Sequence, residues 1–517
     1  MKTKNILVPL AGLLLTGCMA GPDFRPPVVD MPIRYAGTYD VTEADLRWWT
    51  IFSDTTLYRL VTTALANNRD VASAYSRVEQ ARLNMRATRA DLFPSLGYSL
   101  KVTDGNETEL GRTSKPVQEY DVGGSIGWEL DFFGKIRRAT EAARDQLYAT
   151  DYGRQSVILS LIAQVADTYF TLLEYERSLS VAEETYRSRT ESLRLIRLSY
   201  ERGAVSGLDL RQGEQLQAVA AAAIPQYERA VIQTNYALST LLGQNPGIVV
   251  GRHASLLQQP IPADIPAGLP ADLLKRRPDI MEAYYTVATR NAMIGVAQAS
   301  RFPSITLTGD GGLVNTELRH LLRSKSLVWS AAATITGPIF EFGKNKRQVE
   351  IAREETRQAL LAYEQNVLEA LQEVSDALTA VATYREQMYE SARMLEAARE
   401  AQRLSNERYR RGYSSYLEVL DADRSLFQAE LEYSQVVQAR LSAYVDLYKA
   451  LGGGWPLPGE SLNPIALPPV ETVSDRPAPG TVQALPPTEP EKRPRVETLR
   501  QNENRLYRQR RLYRNLR

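Results

Sequence analysis

The sequence is poor in the residues that most often do chemistry: among 517 residues it has one cysteine, Cys18, and two histidines, His253 and His320. No disulfide can form within it, and no cluster of cysteine and histidine could hold zinc or an iron–sulfur centre. It also lacks a phosphate-binding glycine loop and any Ser-His-Asp chain signature. No catalytic residue, cofactor or metal is therefore expected, and carboxylates scattered along long helices read as solvated faces. Charge of one sign is missing too, with 62 Lys and Arg against 61 Asp and Glu. The basic residues gather at the two ends, at Lys2 and Lys4 and again after Glu491. The acidic body between them lacks the basic face of a nucleic-acid-binding protein. Beyond Leu15 no apolar run approaches the roughly 20 residues of a spanning helix, so any passage through a bilayer falls to strands.

What is present begins at the N-terminus. Lys2 and Lys4 precede a short apolar run, Ile6 to Leu15, followed by Leu15-Thr16-Gly17-Cys18. A run this short suits a signal peptide over residues 1–17. The four residues resemble the lipobox of bacterial lipoproteins, which implies that Cys18 is acylated and becomes the new N-terminus. Residues 18–56 then form a lipidated N-terminal segment. By the same resemblance Met19, where Asp would favour retention in the inner membrane, points to the outer membrane.

The body is written twice. Asp70-Val-Ala-Ser-Ala-Tyr75 recurs as Asp279-Ile-Met-Glu-Ala-Tyr284, Phe93-Pro94-Ser95 as Phe302-Pro303-Ser304, Gly134-Lys135 as Gly343-Lys344, and Arg202-Gly203 as Arg411-Gly412. Every pair keeps one offset of 209 residues, too long for a solenoid repeat and too constant for chance. The units are placed at 57–243 and 269–452, joined by a linker over 244–268. Each reads helix, strand, strand, very long helix, long helix. Leu57 to Leu92 reads as one helix, ended by Pro94.

Leu96, Tyr98, Leu100 and Val102 then alternate with Gly97, Ser99 and Lys101, and Tyr120 to Leu130 repeats the alternation. Ile305 and Leu307, and Trp329 to Ile335, copy it in the second unit. Strands of about ten residues, apolar on one face only, fit a barrel wall between lipid and water. No proline interrupts Gly134 to Gly203 or Gly343 to Gly412. Helices of that length reach roughly 100 Å, which no compact globule uses. Leu360, Tyr363, Val367, Leu371, Val374, Leu378 and Val381 form a narrow coiled-coil seam, matched 209 residues earlier by Ile158, Ile162, Val165, Tyr169 and Leu172. Return helices run from about Leu208 to Leu242 and Leu417 to Leu451. Four strands cannot close a membrane barrel, and an open edge in lipid is costly. Two, three or four copies would supply eight, twelve or sixteen strands.

With these elements in place the chain resembles the TolC family, within it the NodT-type lipoprotein branch of efflux outer-membrane factors. The motifs are Gly21-Pro22-Asp23-Phe24-Arg25-Pro26-Pro27, Trp48-Trp49, Leu130-Asp-Phe-Phe-Gly-Lys135, Arg276-Arg277-Pro278-Asp279-Ile280 and Gly337-Pro-Ile-Phe-Glu-Phe-Gly343. The resemblance covers roughly residues 18 to 455. It implies a mainly α fold with a membrane β-barrel: a homotrimer whose twelve-stranded barrel is continued by a long α-helical coiled-coil barrel. It further implies an exit duct passing small toxic compounds, with a periplasmic adaptor and an inner-membrane pump of the resistance-nodulation-division type as partners. The adaptor would contact the hairpin tips, Arg202, Gly203, Ser206 and Gly207 with Arg411, Gly412, Ser414 and Ser415. The family's tip gate maps to Asp421 and Arg424, supported by Glu418 and Tyr409. The positions 209 earlier are Gln212 and Gln215, so this charged pair exists in one unit only.

The resemblance stops before residues 453–517, a Pro-rich and basic tail read as an extended linker and a disordered end. Two rival readings stand beside the efflux duct: a duct for type I protein secretion, and a non-conducting structural envelope lipoprotein. The paired strands argue against the second. Cys18→Ala is expected to leave the chain unacylated. Mass spectrometry finding an unmodified Cys18 in the membrane-extracted wild type would refute the anchor.

Overall fold

Both very long helices begin after a glycine in the left-handed region, Gly134 (φ 77°) and Gly343 (φ 85°), a backbone state that costs glycine nothing. The computed structural model describes residues 19–29, 31, 32, 52, 54–105, 108, 109, 112, 113, 117–249, 254–261 and 273–453, all within one unit of the chain. The signal peptide, Cys18, His253, part of the 244–268 linker and the tail after residue 453 lie outside the described residues.

The first half comprises α1 (Thr55–Asn67), α2 (Arg69–Ala90), β1 (Ser95–Gly105), a small hairpin of β2 (Thr108–Glu109) and β3 (Arg112–Thr113), β4 (Val117–Leu130), α3 (Lys135–Glu201) and α4 (Gly207–Leu241). The second comprises α5 (Leu273–Arg276), α6 (Pro278–Ala299), β5 (Ser304–Asn315), β6 (Leu327–Thr336), α7 (Lys344–Arg410) and α8 (Tyr416–Ala450). Helices α3 and α7 both have 67 residues, and α4 and α8 both have 35. Their ends obey the 209-residue offset to the residue. The duplication expected from the sequence is thus present element by element. Helix α4 continues through Pro225, where α8 has Ser434.

The single helix expected from Leu57 to Leu92 is two. It breaks at Asn68, whose extended backbone and side chain cap α2 by accepting from the Asp70 and Val71 amides. Asn68 Nδ2 also donates to Leu241 O (2.9 Å), the last residue of α4. The second unit breaks at the matching Arg277, with Pro278 opening α6, and Arg277 Nη1 donates to Ala450 O (3.0 Å), the last residue of α8. An amide and a guanidinium therefore tie the same two helix ends. The crossing is close: an added Cβ would lie 2.3 Å from Asn67 O at Gly243 and 2.8 Å from Arg276 O at Gly452.

The helices form rows. Near the strands the packing order is α2–α3–α6–α7, and towards the far hairpins it is α4–α3–α8–α7. The seam residues meet there: Tyr363, Val367, Val374 and Leu378 are buried, and Leu360, Leu371 and Val381 half-buried. Ile162, Val165, Tyr169 and Leu172 are buried in a second cluster with Leu57, Leu60, Leu441 and Tyr444. Each such side chain contributes about 1.5–3 kcal/mol. One stretch corrects the reading that no later run is apolar enough to span. Helix α3 contains an 18-residue window of mean hydropathy 1.5, 56% of it buried inside the fold. Its apolar side chains fill the core instead.

The sheet order is β1–β4–β5–β6, antiparallel throughout. Register sorts the faces. Leu96 lies opposite Ile126, Leu100 opposite Val122, Trp128 opposite Leu307 and Ile305 opposite Ile335. The other face pairs Lys101 with Asp121 and Glu129 with Thr306. The apolar face is bare: Tyr98 is 94% exposed and Trp329 78%. A water-soluble sheet would cover such a face. Neither β1 nor β6 has a partner on its outer edge within the sheet.

The residues just after Cys18 are strapped to the junction of strands and helices. Ala20 N donates to Phe133 O (3.0 Å), and buried Arg138 donates to Ala20 O (3.1 Å) and Asp23 Oδ1 (2.9 Å). Gly21 lies against Gly295, where an added Cβ would meet Cα at 2.4 Å. The expected consequence of the helix break is measurable. Asn68→Ala removes a cap and the tie to α4, and thermal unfolding in detergent should show a loss of about 1–2 kcal/mol.

Candidate functional site

The far hairpins turn by the same device. Gly203 (φ 74°) and Gly412 (φ 76°) end the long helices. Ala204 N then donates to Ser199 O (2.8 Å), and Tyr413 N to Arg408 O (2.9 Å), bonds of the Schellman type. Ser206 and Asp209 make a reciprocal capping box that starts α4, whereas Ser415 starts α8 without a side-chain cap. Below the turns Leu193, Ile196, Leu210 and Leu216 of the first hairpin bury Tyr416, Val419 and Leu420 of the second. The hairpins therefore act as one tip.

A groove of about 530 Å³ runs across it, lined by Gly203, Val205, Ser206 and Asp209 on one side and Tyr409, Ser415 and Tyr416 on the other. The structure thus brings Gly203, Ser206 and Ser415 of the expected contact set together with Tyr409 of the expected gate. Arg202, Gly207, Arg411 and Gly412 are exposed around it, and Ser414 is half-buried. The Tyr409 and Tyr416 rings lie 5.4 Å apart. Burial pushes both phenols above the ordinary tyrosine value, Tyr416 further because Asp423 adds a negative charge nearby.

The remaining gate residues behave differently. Glu418 Oε1 pairs with Arg408 Nε across its own hairpin (3.1 Å). Asp421 and Arg424 are exposed on α8, and neither has an ion-pair partner among the described residues of one chain. The buried charge at the tip belongs to residues that sequence reasoning missed. Arg189 of α3 is 4% exposed. It donates to Leu216 O of α4 (2.9 Å) and Asp423 O of α8 (3.2 Å), and its guanidinium lies 5.0 Å from the Phe427 ring centroid. Burial lowers its pKa. Asp423 is pushed up by burial and accepts from Gln402 Nε2 (2.9 Å). The residue 209 beyond Arg189 is Ala398, so a search for charges present in one unit only would have found it.

A second cavity of about 530 Å³ lies between α7 and α8, lined by Glu373, Asp376, Tyr384, Asp446 and Lys449 among others. Beside it burial pushes Asp167 up to about 7, opposed by a hydrogen bond from Ser442 and reinforced by Asp446. Among the described residues no group of acids and histidines is arranged to hold a metal ion.

A sheet with a bare apolar face, continued by helices of 67 residues to a compact tip, defines a membrane channel subunit with a long extramembrane stalk. The chain belongs to the outer membrane efflux protein family, whose profile matches residues 60–244 and 269–453. It is 34% identical over 466 residues to the toluene efflux pump outer membrane protein TtgC of Pseudomonas putida, covering 88% of this chain and 96% of that one. The cation efflux system protein CusC of Escherichia coli is 33% identical over 464 residues, covering 88% and 100%. SilC of Salmonella typhimurium, described as a probable outer membrane lipoprotein, is 34% identical over 457 residues, covering 86% and 97%. The crystal structure of the open state of the Neisseria gonorrhoeae MtrE outer membrane channel superposes with a TM-score of 0.76 at 32% identity, covering 84% and 98%. The mainly helical channel fold and the outer-membrane location expected from the sequence are those of this family.

Arg189 generates the test for this site. Arg189→Met keeps the apolar stem and removes the two cross-hairpin bonds, at an expected local cost of about 1–3 kcal/mol. Amide exchange should accelerate over the tips of α3, α4 and α8 and stay unchanged in the sheet. Equal exchange at the tips would show that Arg189 ties nothing.

Proposed function

We propose that the chain is the exit duct of a tripartite efflux system, passing small toxic compounds out of the periplasm and catalysing nothing. One observation carries the reading. A single polypeptide joins a lipid-type sheet to helices of about 100 Å, so the route out of the membrane and the reach towards a partner are one object. The relatives named for toluene and cation efflux support small cargo over secreted polypeptide. They also show that the family's cargo varies. In this reading the duct is a homotrimer, and an acyl group on Cys18 enters the bilayer beside the strand ends where residues 19–24 are strapped. A periplasmic adaptor engages the tip groove around Gly203, Ser206 and Ser415. The energy comes from an inner-membrane pump of the resistance-nodulation-division type, because nothing in the chain harvests it.

Asp421 and Arg424 serve as the gate. Around a symmetry axis like carboxylates repel unless cations or the arginines of neighbouring copies compensate them. Their exposure without partners inside one chain fits groups that pair between copies. Replacing both by alanine should raise conductance in planar bilayers at low salt, where screening is weak, and leave the oligomer intact. The same change at Gln212 and Gln215 should matter less. Unchanged conductance would move the gate elsewhere. Gene deletion that spares drug and solvent tolerance but abolishes release of a large protein would replace efflux with type I secretion.

A further inference from the structure

The two halves of the chain meet along one seam, where β4 pairs with β5 and α3 packs on α6. At its strand end Phe133 stacks on Phe302, with ring centroids 4.5 Å apart and planes 11° apart. Further along, Ala142 O accepts from Thr289 Oγ1 and the Tyr152 ring stacks on Tyr285. Leu159 is buried against Gly453. The α3 side of the seam is thus Phe133, Ala142, Tyr152 and Leu159.

Moving these residues by 209 gives Phe342, Ile351, Leu361 and Leu368 along the outer edge of α7, while Phe302 becomes Phe93 beyond α2. All five are exposed, at 91%, 48%, 55%, 60% and 62%. The chain therefore carries the two halves of a second seam, apolar at the same positions, on opposite edges where they cannot meet. Phe342 adds an independent sign. It is the one non-glycine residue with positive φ (49°) among those described. A bulky residue holds that state only where its surroundings enforce it, and here its one ring neighbour is the equally bare Phe340.

The strands supply the register. The hairpins β1–β4 and β5–β6 pair identically after the 209-residue shift, Ser95 with Gly127 and Ser304 with Thr336. The duplication is therefore faithful to single residues within the sheet. The outer edges of β6 and β1 are the shifted copies of the β4 and β5 edges that pair inside the chain. Ile126 opposite Gly309 becomes Ile335 opposite Leu100, and Ser125 opposite Asp310 becomes Thr334 opposite Lys101. Both pairs match faces, apolar with apolar and polar with polar. A slip by one residue would set Ile335 against Lys101 and expose the wrong face to lipid.

We infer that the β6–α7 edge of one copy binds the β1–α2 edge of a second copy, and that this contact repeats the internal seam residue for residue. Ile335 then lies opposite Leu100, Thr334 opposite Lys101, and Phe342 stacks on Phe93 of the neighbour. The contact is head-to-tail, so it propagates until it closes into a ring. Closure removes the open strand edges. The inference deepens the duct reading and rests on it, since only strands in lipid force these edges together.

Disulfide trapping in the full-length protein tests the register, with Cys18 retained and each single-cysteine variant as a control. Directly opposite Cβ atoms lie about 4.5–5.5 Å apart and diagonal ones about 7–8 Å, while a disulfide needs roughly 4 Å. Under mild oxidation, Thr334→Cys with Lys101→Cys should convert most of the protein to covalent oligomers on non-reducing gels. Thr334→Cys with Ser99→Cys or Thr103→Cys should give little. In parallel, Phe342→Asp should weaken the detergent-extracted oligomer, seen as smaller mass by light scattering. A conducting oligomer that cross-links best through Ser99 or Thr103, or not at all, overturns the inference and leaves the duct standing. A stable monomer without conductance overturns both.

Discussion

A strand edge in hydrocarbon has nowhere to send its N–H and C=O groups, and each unmet group costs several kcal/mol. This constraint organises the rest of the molecule. The sheet sorts its side chains into one apolar and one polar face, and such a sheet is stable only between lipid and water. Having committed the strands to lipid, the chain must also close their edges, and four strands cannot do so alone. The long helices inherit the problem, because α7 and the α2 and α4 side stand at the ends of their rows. Edges left open in the sheet and edges left open in the helices therefore coincide.

The duplication distributes this load evenly, and the helix break shows how tightly. At Asn68 and Arg277 the chain interrupts a helix in order to reach the last carbonyl of the return helix. The two side chains share neither shape nor charge, yet each spans the same gap. Arg277 carries a positive charge into a buried place, and it is matched by Asp279 (2.6 Å) and Glu373 (2.6 Å). Asn68 needs no such partners. What is preserved between the halves is a bond, and the residue that makes it is free to differ.

Sequence reasoning reached the elements that repeat. The offset of 209, the glycines that open and close the long helices, the alternating strands and the apolar seam are all periodic signals, and their positions survive in the structure within a residue or two. The break at Asn68 was invisible because Leu57 to Leu92 has no glycine or proline before Pro94. Asparagine interrupts a helix there only because Leu241 O lies within its reach, a long-range fact that no local window contains. The apolar window in α3 misled in the opposite direction, since a core helix and a spanning helix share a composition. At the tip the sequence pointed to Tyr409, Glu418, Asp421 and Arg424 through resemblance, but Arg189 lay on another helix and entered only once the fold brought it to Asp423.

The tip is where the halves stop agreeing. Through the sheet and the seam, residues 209 apart keep the same role. At the far end Arg189 answers to Ala398, Asp421 to Gln212 and Arg424 to Gln215. A stalk built only from the symmetric parts would have no reason to treat its two hairpins differently. Arg189 reaches from the first unit into the second through two carbonyls and the face of Phe427, and within the described residues it makes no direct ion pair with a carboxylate. Backbone acceptors and a ring hold such a cation in place without locking it as a buried ion pair would. The asymmetric charges thus gather where a closed duct has to give way, and the symmetric ones stay in the wall that must not.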